Sequence, residues 1–292
     1  MTTRPRRVVL VGVDGSDESL AAVDLAADEA LLHNSPLRVV SAIHWTVDGT
    51  VVRDARSEVD AAARRAVRRH PDVPVSTAVL VGVPASVLVE QAARARLLVV
   101  GHRGRGGFAT LVGGSVPAQV ATNAPCPVLV ARPATPGAEN EPEGPIVVGV
   151  DGGAHAARAL TFGFEEAARR GVPLVAVQVW AEPPHPSNGN TARAAAESAA
   201  AEQAADGVLT TALAGARTAY PGVPVTTELI RSPDVEEALV QRSAGASLIV
   251  VGSRGAGGHA GALLGSAGHA LIHHAASPVA IVRPDRDPTT ED

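Results

Sequence analysis

Leu97-Leu98-Val99-Val100-Gly101-His102-Arg103-Gly104 is an apolar run that stops at a glycine, and it returns as Leu248-Ile249-Val250-Val251-Gly252-Ser253-Arg254-Gly255, 151 positions on. A short unbroken apolar run closed by glycine reads as a strand buried on both faces. Two other stretches repeat with it. Val8-Val9-Leu10-Val11-Gly12-Val13-Asp14-Gly15 returns as Ile146-Val147-Val148-Gly149-Val150-Asp151-Gly152, displaced by 137, and Cys126-Pro127-Val128-Leu129-Val130-Ala131-Arg132-Pro133 returns as Ser277-Pro278-Val279-Ala280-Ile281-Val282-Arg283-Pro284, displaced by 151. The chain is written twice, with 14 extra residues in the middle of the second copy.

Around these runs each copy alternates strands with helical patterns. Asp14-Gly15-Ser16-Asp17 supplies turn and N-cap chemistry, and Leu20, Val23, Ala27 and Leu31 then share one helical face until Asn34-Ser35-Pro36 stops the helix. Strands are expected over 37–43, 75–81, 97–100 and 127–131, and helices over 57–70, 86–95 and 116–123. Doubly apolar strands separated by helices require a parallel sheet covered on both faces with right-handed crossovers. The expected fold class is therefore α/β, as two tandem Rossmann-like doubly wound domains. Domain one is expected over 1–133, a Pro-, Gly- and Glu-rich linker over 134–144, domain two over 145–285 and a disordered tail over 286–292. The extra residues fall around Thr191 to Ala219, an Ala-rich stretch expected to lengthen the second helix of domain two and its approach loop.

Composition narrows the function. The 292 residues are 46% hydrophobic but 2% aromatic, so the core is built from Val, Leu, Ile and Ala. The net charge is −5 and all 25 basic residues are Arg, since the chain holds no Lys. That balance is not the footprint of a nucleic-acid binder, and Arg64, Arg65, Arg68 and Arg69 read as the solvated face of a helix. The lone Cys126 allows no internal disulfide. With neither a signal-like start nor an apolar stretch of membrane-spanning length, the expectation is a cytoplasmic protein with no membrane partner.

In open α/β sheets ligands bind beyond the carboxyl ends of the strands. Strand one ends at Asp14 and Asp151. Strand four ends in Gly101-x-x-Gly104, then nine residues, then Gly114-Ser115, and the second copy gives Gly252-x-x-Gly255, nine residues, Gly265-Ser266. Glycines let backbone approach a ligand, and a helix start offers free N–H groups and a dipole to an anion, which together describe a phosphate cradle. Pro117 suits the first turn of that helix. A Walker loop is excluded because it needs Lys. Gly104-x-Gly106-x-x-Ala109 resembles a dinucleotide fingerprint, but it follows the wrong strand.

The Gly-2x-Gly-9x-Gly-Ser pattern after strand four, with an aspartate ending strand one and a closing Pro-Val strand, resembles the universal stress protein family. The resemblance spans nearly the whole chain apart from termini and linker. It implies five-stranded sheets in the order 3-2-1-4-5 and ATP bound across the strand ends, up to two per chain and with Mg²⁺ accompanying it. It also implies pairing of the two domains, or of two chains, through the fifth strands, and a homodimer is expected by that route. Carried over by motif, Asp14 and Asp151 contact the adenosine end, and Gly101, Gly104, Gly114 and Ser115, with Gly252, Gly255, Gly265 and Ser266, hold ribose and phosphates. Val13, Val100, Val116, Val150, Val251 and Ala267 line the site, Val179 lines the adenine position of repeat two, and Ile43 or His44 is its counterpart in repeat one. Arg103 and Arg254 stand at equivalent loop positions, as phosphate ligands or as solvent-facing residues.

Repeat two departs from repeat one where Ser16 becomes Gly153, Gly113 becomes Leu264 and Pro117 becomes Gly268. The implied function is nucleotide-dependent regulation in a stress response, through a protein partner, without efficient catalysis. A slow ATPase or phosphotransferase using the same sites is the rival. His269 and His273, four apart on a helix, form an incomplete metal pair. Gly113-Gly114-Ser115-Val116-Pro117 fails the nucleophile-elbow pattern at its last position.

Overall fold

The computed structural model describes residues 7–43, 49–104, 115–132, 144–184, 191–255 and 264–284. Strands and helices alternate along the chain as β1 (Val8–Gly12), α1 (Asp17–Leu32), β2 (Leu37–Ile43), α2 (Gly49–Arg69), β3 (Val75–Val81), α3 (Pro84–Ala92), β4 (Ala95–Gly101), α4 (Val116–Asn123) and β5 (Val128–Ala131). The second copy follows as β6 (Ile146–Gly149), α5 (Ala154–Arg170), β7 (Leu174–Trp180), α6 (Thr191–Ala219), β8 (Val225–Arg231), α7 (Val235–Arg242), β9 (Leu248–Gly252), α8 (Ser266–His274) and β10 (Val279–Val282). The chain forms two compact units, Met1–Asn140 with Pro278–Asp292, and Glu141–Ser277.

In the first unit β3, β2, β1, β4 and β5 lie side by side in that order and run parallel. This is the doubly wound order that the family resemblance implied. β10 adds to the far side of β5, antiparallel, with Ala280 opposite Leu129. The edge of β5 is thus taken within the chain, which corrects the expectation that two chains meet through free fifth-strand edges. In the second unit β8, β7, β6 and β9 are parallel in the equivalent order.

The sheets are dry because their central strands are apolar on both faces. Val9, Leu10, Val11, Leu98 and Val99 have no exposed surface, nor do Val147, Val148, Leu248 and Ile249. α1 starts where Ser16, in an extended conformation, accepts a hydrogen bond from the Ser19 N–H at 3.2 Å, and Asp17 and Glu18 favour its positive end. It buries Ala22, Val23, Ala26, Ala27 and Ala30, whereas Leu31, expected on the core face, is 50% exposed. A helix lined with alanines rides close to the sheet, and a Leu near its end lies off that narrow face. The helix ends at Leu32, just before Asn34, whose φ of 47° no right-handed helix accommodates.

The arginine cluster is more than a solvated face. Arg65 makes a bidentate pair with Asp24 of α1, at 2.6 and 2.5 Å, and Arg69 does the same with Asp28, at 2.5 and 2.8 Å. Asp28 also meets His70 Nε2 at 2.7 Å. The carboxylate hydrogen bonds raise both arginines above their ordinary pKa, and the fork geometry sets the angle of α2 against α1. Eight of the 14 extra residues of the second copy lie in α6, which has 29 residues against 21 in α2, and five more precede it, where 10 residues separate β7 from α6 against 5 between β2 and α2.

Cys126, just ahead of β5, is 8% exposed, and burial pushes its thiol up to about 12. At pH 8 about one thiol in ten thousand is then ionised, and the thiolate is the reactive form. We expect no labelling of the native protein by a water-soluble thiol reagent at pH 8, and full labelling in denaturant. Fast native labelling would contradict the packing of this corner.

Candidate functional site

The site is assembled from the carboxyl ends of β1 and β4 in one unit, and of β6 and β9 in the other. In each, one residue past the first strand continues the parallel ladder: the Val13 N–H donates to the Val40 carbonyl at 2.9 Å, and the Val150 N–H to the Val177 carbonyl at 2.8 Å. Both valines are buried, and this last hydrogen bond holds the following aspartate at the rim. Gly15 and Gly152 then turn the chain with φ of 79° and 80°, a conformation that glycine adopts freely.

Asp14 is fixed by its own turn. Its Oδ1 accepts from the Ser16 N–H at 3.1 Å and from the Ser16 hydroxyl at 2.6 Å. Its Oδ2 lies against Gly104, so closely that a Cβ on that glycine would collide with it. In the second copy Asp151 Oδ1 accepts from the Gly153 N–H at 2.9 Å, and a Cβ on Gly255 would lie 3.2 Å from Asp151 Oδ2. Residues 90 apart in the first copy and 104 apart in the second thus meet, and the missing hydroxyl at Gly153 leaves Asp151 with the backbone bond alone from that position.

Gly101 and Gly252 do a different task. A Cβ on Gly101 would lie 2.8 Å from the backbone carbon and oxygen of Glu18, and one on Gly252 would lie 2.8 Å from the backbone carbon and the Cβ of His155. Each glycine admits the first turn of α1 or α5 against the end of the fourth strand. Val100 and Val251 are buried within those strands, and Val251 Cγ1 packs 3.1 Å from where a Gly149 Cβ would be.

The helix that follows begins as expected. Ser115 is the N-cap of α4 and its Oγ accepts weakly from the Ala118 N–H at 3.5 Å. In the second copy the N-cap is Gly265, with no side-chain cap on the first turn of α8. The Gly265 N–H donates to the Ser253 carbonyl at 2.9 Å, and a Cβ there would lie 3.4 Å from Arg254 Cα. Asp151, Gly255, Arg254 and Gly265 are therefore one cluster. Ser115 and Ser266 are exposed, and Val116 and Ala267 half-buried, at the helix starts. Gly114 lies outside the described residues, as does His44. Val179 is half-buried in β7, opposite Ile230, beyond the last register partner of β6.

Arg103 is exposed and Arg254 half-buried. Arg132, one residue past β5, was not singled out from the sequence. The β4 to β5 register ends with Gly101 beside Ala131, which sets Arg132 next to the strand-four loop. Burial first, and the charge of Arg103 second, hold its guanidinium below the usual arginine range. Positive charge gathers at this rim. Also unforeseen is the contact of His155 Nδ1 with the Ser253 hydroxyl at 2.9 Å, which ties α5 to the strand-four loop. A pair separated by 98 residues leaves no local signal, whereas Arg132 was visible within a repeated Arg-Pro ending. The rings of His269 and His273 lie 4.7 Å apart and tilted along α8.

Two parallel α/β units, each with an aspartate at the end of its first strand facing the glycine loop of its fourth, define a tandem doubly wound α/β protein. The chain belongs to the universal stress protein family, whose family model matches it twice, over residues 5–132 and 144–283. It is 34% identical over 298 residues to the universal stress protein Rv2005c of Mycobacterium tuberculosis, covering 96% of this chain and 99% of that one. Universal stress protein Rv2623 of the same organism is 33% identical over 294 residues, covering 94% and 96%. A crystal structure of a universal stress protein from Archaeoglobus fulgidus shares the fold, with a TM-score of 0.70 at 19% identity, covering 96% of this chain and 97% of that one. Among the described residues no helix is long and apolar enough to cross a membrane.

A Cβ at Gly101 or Gly252 must displace helix backbone, which cannot rotate aside. We expect Gly101→Ala and Gly252→Ala each to lower the unfolding free energy by about 1–3 kcal/mol, read from urea denaturation. Unchanged midpoints would show that the α1 and α5 approaches are not tight.

Proposed function

We propose that each unit holds one molecule of ATP at the carboxyl ends of its strands and that the protein acts as a nucleotide-dependent regulator rather than as an enzyme. The observation that carries this reading is the twice-built meeting of Asp14 with Gly104 and of Asp151 with Gly255. A carboxylate held at a strand end by a turn is an acceptor for ribose or base donors. A glycine loop followed by a helix start offers N–H groups to phosphate. The donors fit the ligand: Arg103 and Arg132 make one rim positive, and α8 begins without a side-chain cap. Mg²⁺, where it accompanies the nucleotide, would be held chiefly by the phosphates.

The described cations at this rim are arginines, and Asp14 and Asp151 are engaged by their own turns, which supports binding over turnover. A protein partner in the cytoplasm that senses the loaded state completes the proposal. The two domains are taken as 1–133 and 145–285.

The deciding measurement is mass spectrometry of nucleotide released from purified protein, with titration of ATP into emptied protein. We expect ATP in the wild type, one site fewer in Gly104→Ala, and none in the Gly104→Ala/Gly255→Ala double variant with unchanged circular dichroism. The first substitution should act more strongly, because its Cβ meets the Asp14 carboxylate more closely. A wild type that carries no nucleotide and refuses added ATP would sink the proposal.

A further inference from the structure

β3 and β8 are the outermost strands of their units and equivalent elements of the two copies. Both have seven residues, both follow a proline and both show the same pattern of exposure. The Leu37 N–H donates to the Pro74 carbonyl at 2.9 Å, and the Gly82 N–H to the Ile43 carbonyl at 2.8 Å. Residues 74, 76, 78, 80 and 82 thus turn their backbone groups to β2, while Val75, Thr77, Val79 and Val81 turn theirs away from the sheet. β8 repeats this phase, with Leu174 bonded to Pro224 at 2.9 Å and Ser232 to Trp180 at 2.9 Å.

Only the side-chain chemistry differs. At its centre β8 carries Glu228, which accepts from Arg242 at 2.7 Å, and at its end Arg231, paired with Glu182. Charges on an outermost strand oppose pairing with a further strand. β3 has Ala78 and Val81 at those positions and no charged residue along its length. Val81 and Val83 are each 53% exposed.

We propose that β3 is an interface that takes β3 of a second copy of this chain, antiparallel across a two-fold axis. Full overlap of the strand with itself centres on residue 78. The backbone groups of Ala78 face β2, so the two copies meet there as a non-hydrogen-bonded pair with Cα atoms about 4.5 Å apart. Alanine fits at that spacing. Val75 of one copy then faces Val81 of the other, and Thr77 faces Val79, each exchanging the outward N–H and C=O groups. The same construction on β8 sets Glu228 against Glu228, like charges at the closest spacing. Charge thus bars β8 and leaves β3 open, and β5 is already paired with β10. The inference is independent of nucleotide binding.

Sedimentation velocity on the full chain tests it. The wild type should sediment at twice the chain mass, and Ala78→Glu and Ala78→Lys should each weaken the dimer by roughly tenfold or more with unchanged circular dichroism. Mixing the two variants should restore it, because Glu then faces Lys. Val79→Pro removes a donor that points away from β2 and should also give a monomer, without a new charge. A monomeric wild type, a dimer that survives all three substitutions, or folded variants that stay monomeric when mixed would each overturn the proposal.

Discussion

The close approach of a helix backbone to the end of a strand is the constraint on which the rest of each unit depends. Gly101 and Gly252 lack the atom that would block it, and the first turns of α1 and α5 occupy the space within 2.8 Å of where a Cβ would stand. With that turn pressed down, the preceding aspartate is carried over the strand-four loop, where Asp14 meets Gly104 and Asp151 meets Gly255. The motif glycines therefore divide their labour. One in each copy serves packing, and the next leaves room for the carboxylate that the packing delivers.

Duplication has not kept the two copies equal. Asp14 is held by a backbone N–H and a hydroxyl of Ser16, whereas Gly153 gives Asp151 only the N–H. α1 is locked to α2 by two bidentate arginine–carboxylate forks, Arg65 with Asp24 and Arg69 with Asp28. The second copy instead ties α5 to its strand-four loop through His155 and Ser253. The repeats thus place different polar contacts at different points of the same framework, so the sites share a geometry without sharing these contacts.

The outermost strands carry the same lesson further. β3 and β8 have identical backbone phase and exposure, so backbone geometry alone offers both for pairing. Side-chain charge separates them, because Glu228 and Arg231 stand where Ala78 and Val81 stand in the first copy. A fold that duplicates an edge must decide what becomes of each one, and a few substitutions suffice for that.

Much of this was legible in the residues. Apolar runs such as 97–100 and 248–251 must be buried on both faces, and their alternation with helical patterns leaves a doubly wound parallel sheet as the economical arrangement. The spacing of glycines around a strand end marked a candidate site, and the double writing of the chain marked two. Those features are local, or repeat at a fixed offset, so a linear reading reaches them. What the tertiary structure alone decided is non-local: that Gly101 serves a helix, that Arg132 stands beside Arg103, that Arg65 reaches Asp24 across 41 residues, and that β10 closes the edge of β5. Periodicity says which face of an element is buried, but the partner against which it is buried is set by packing, and packing exists only once the chain has folded.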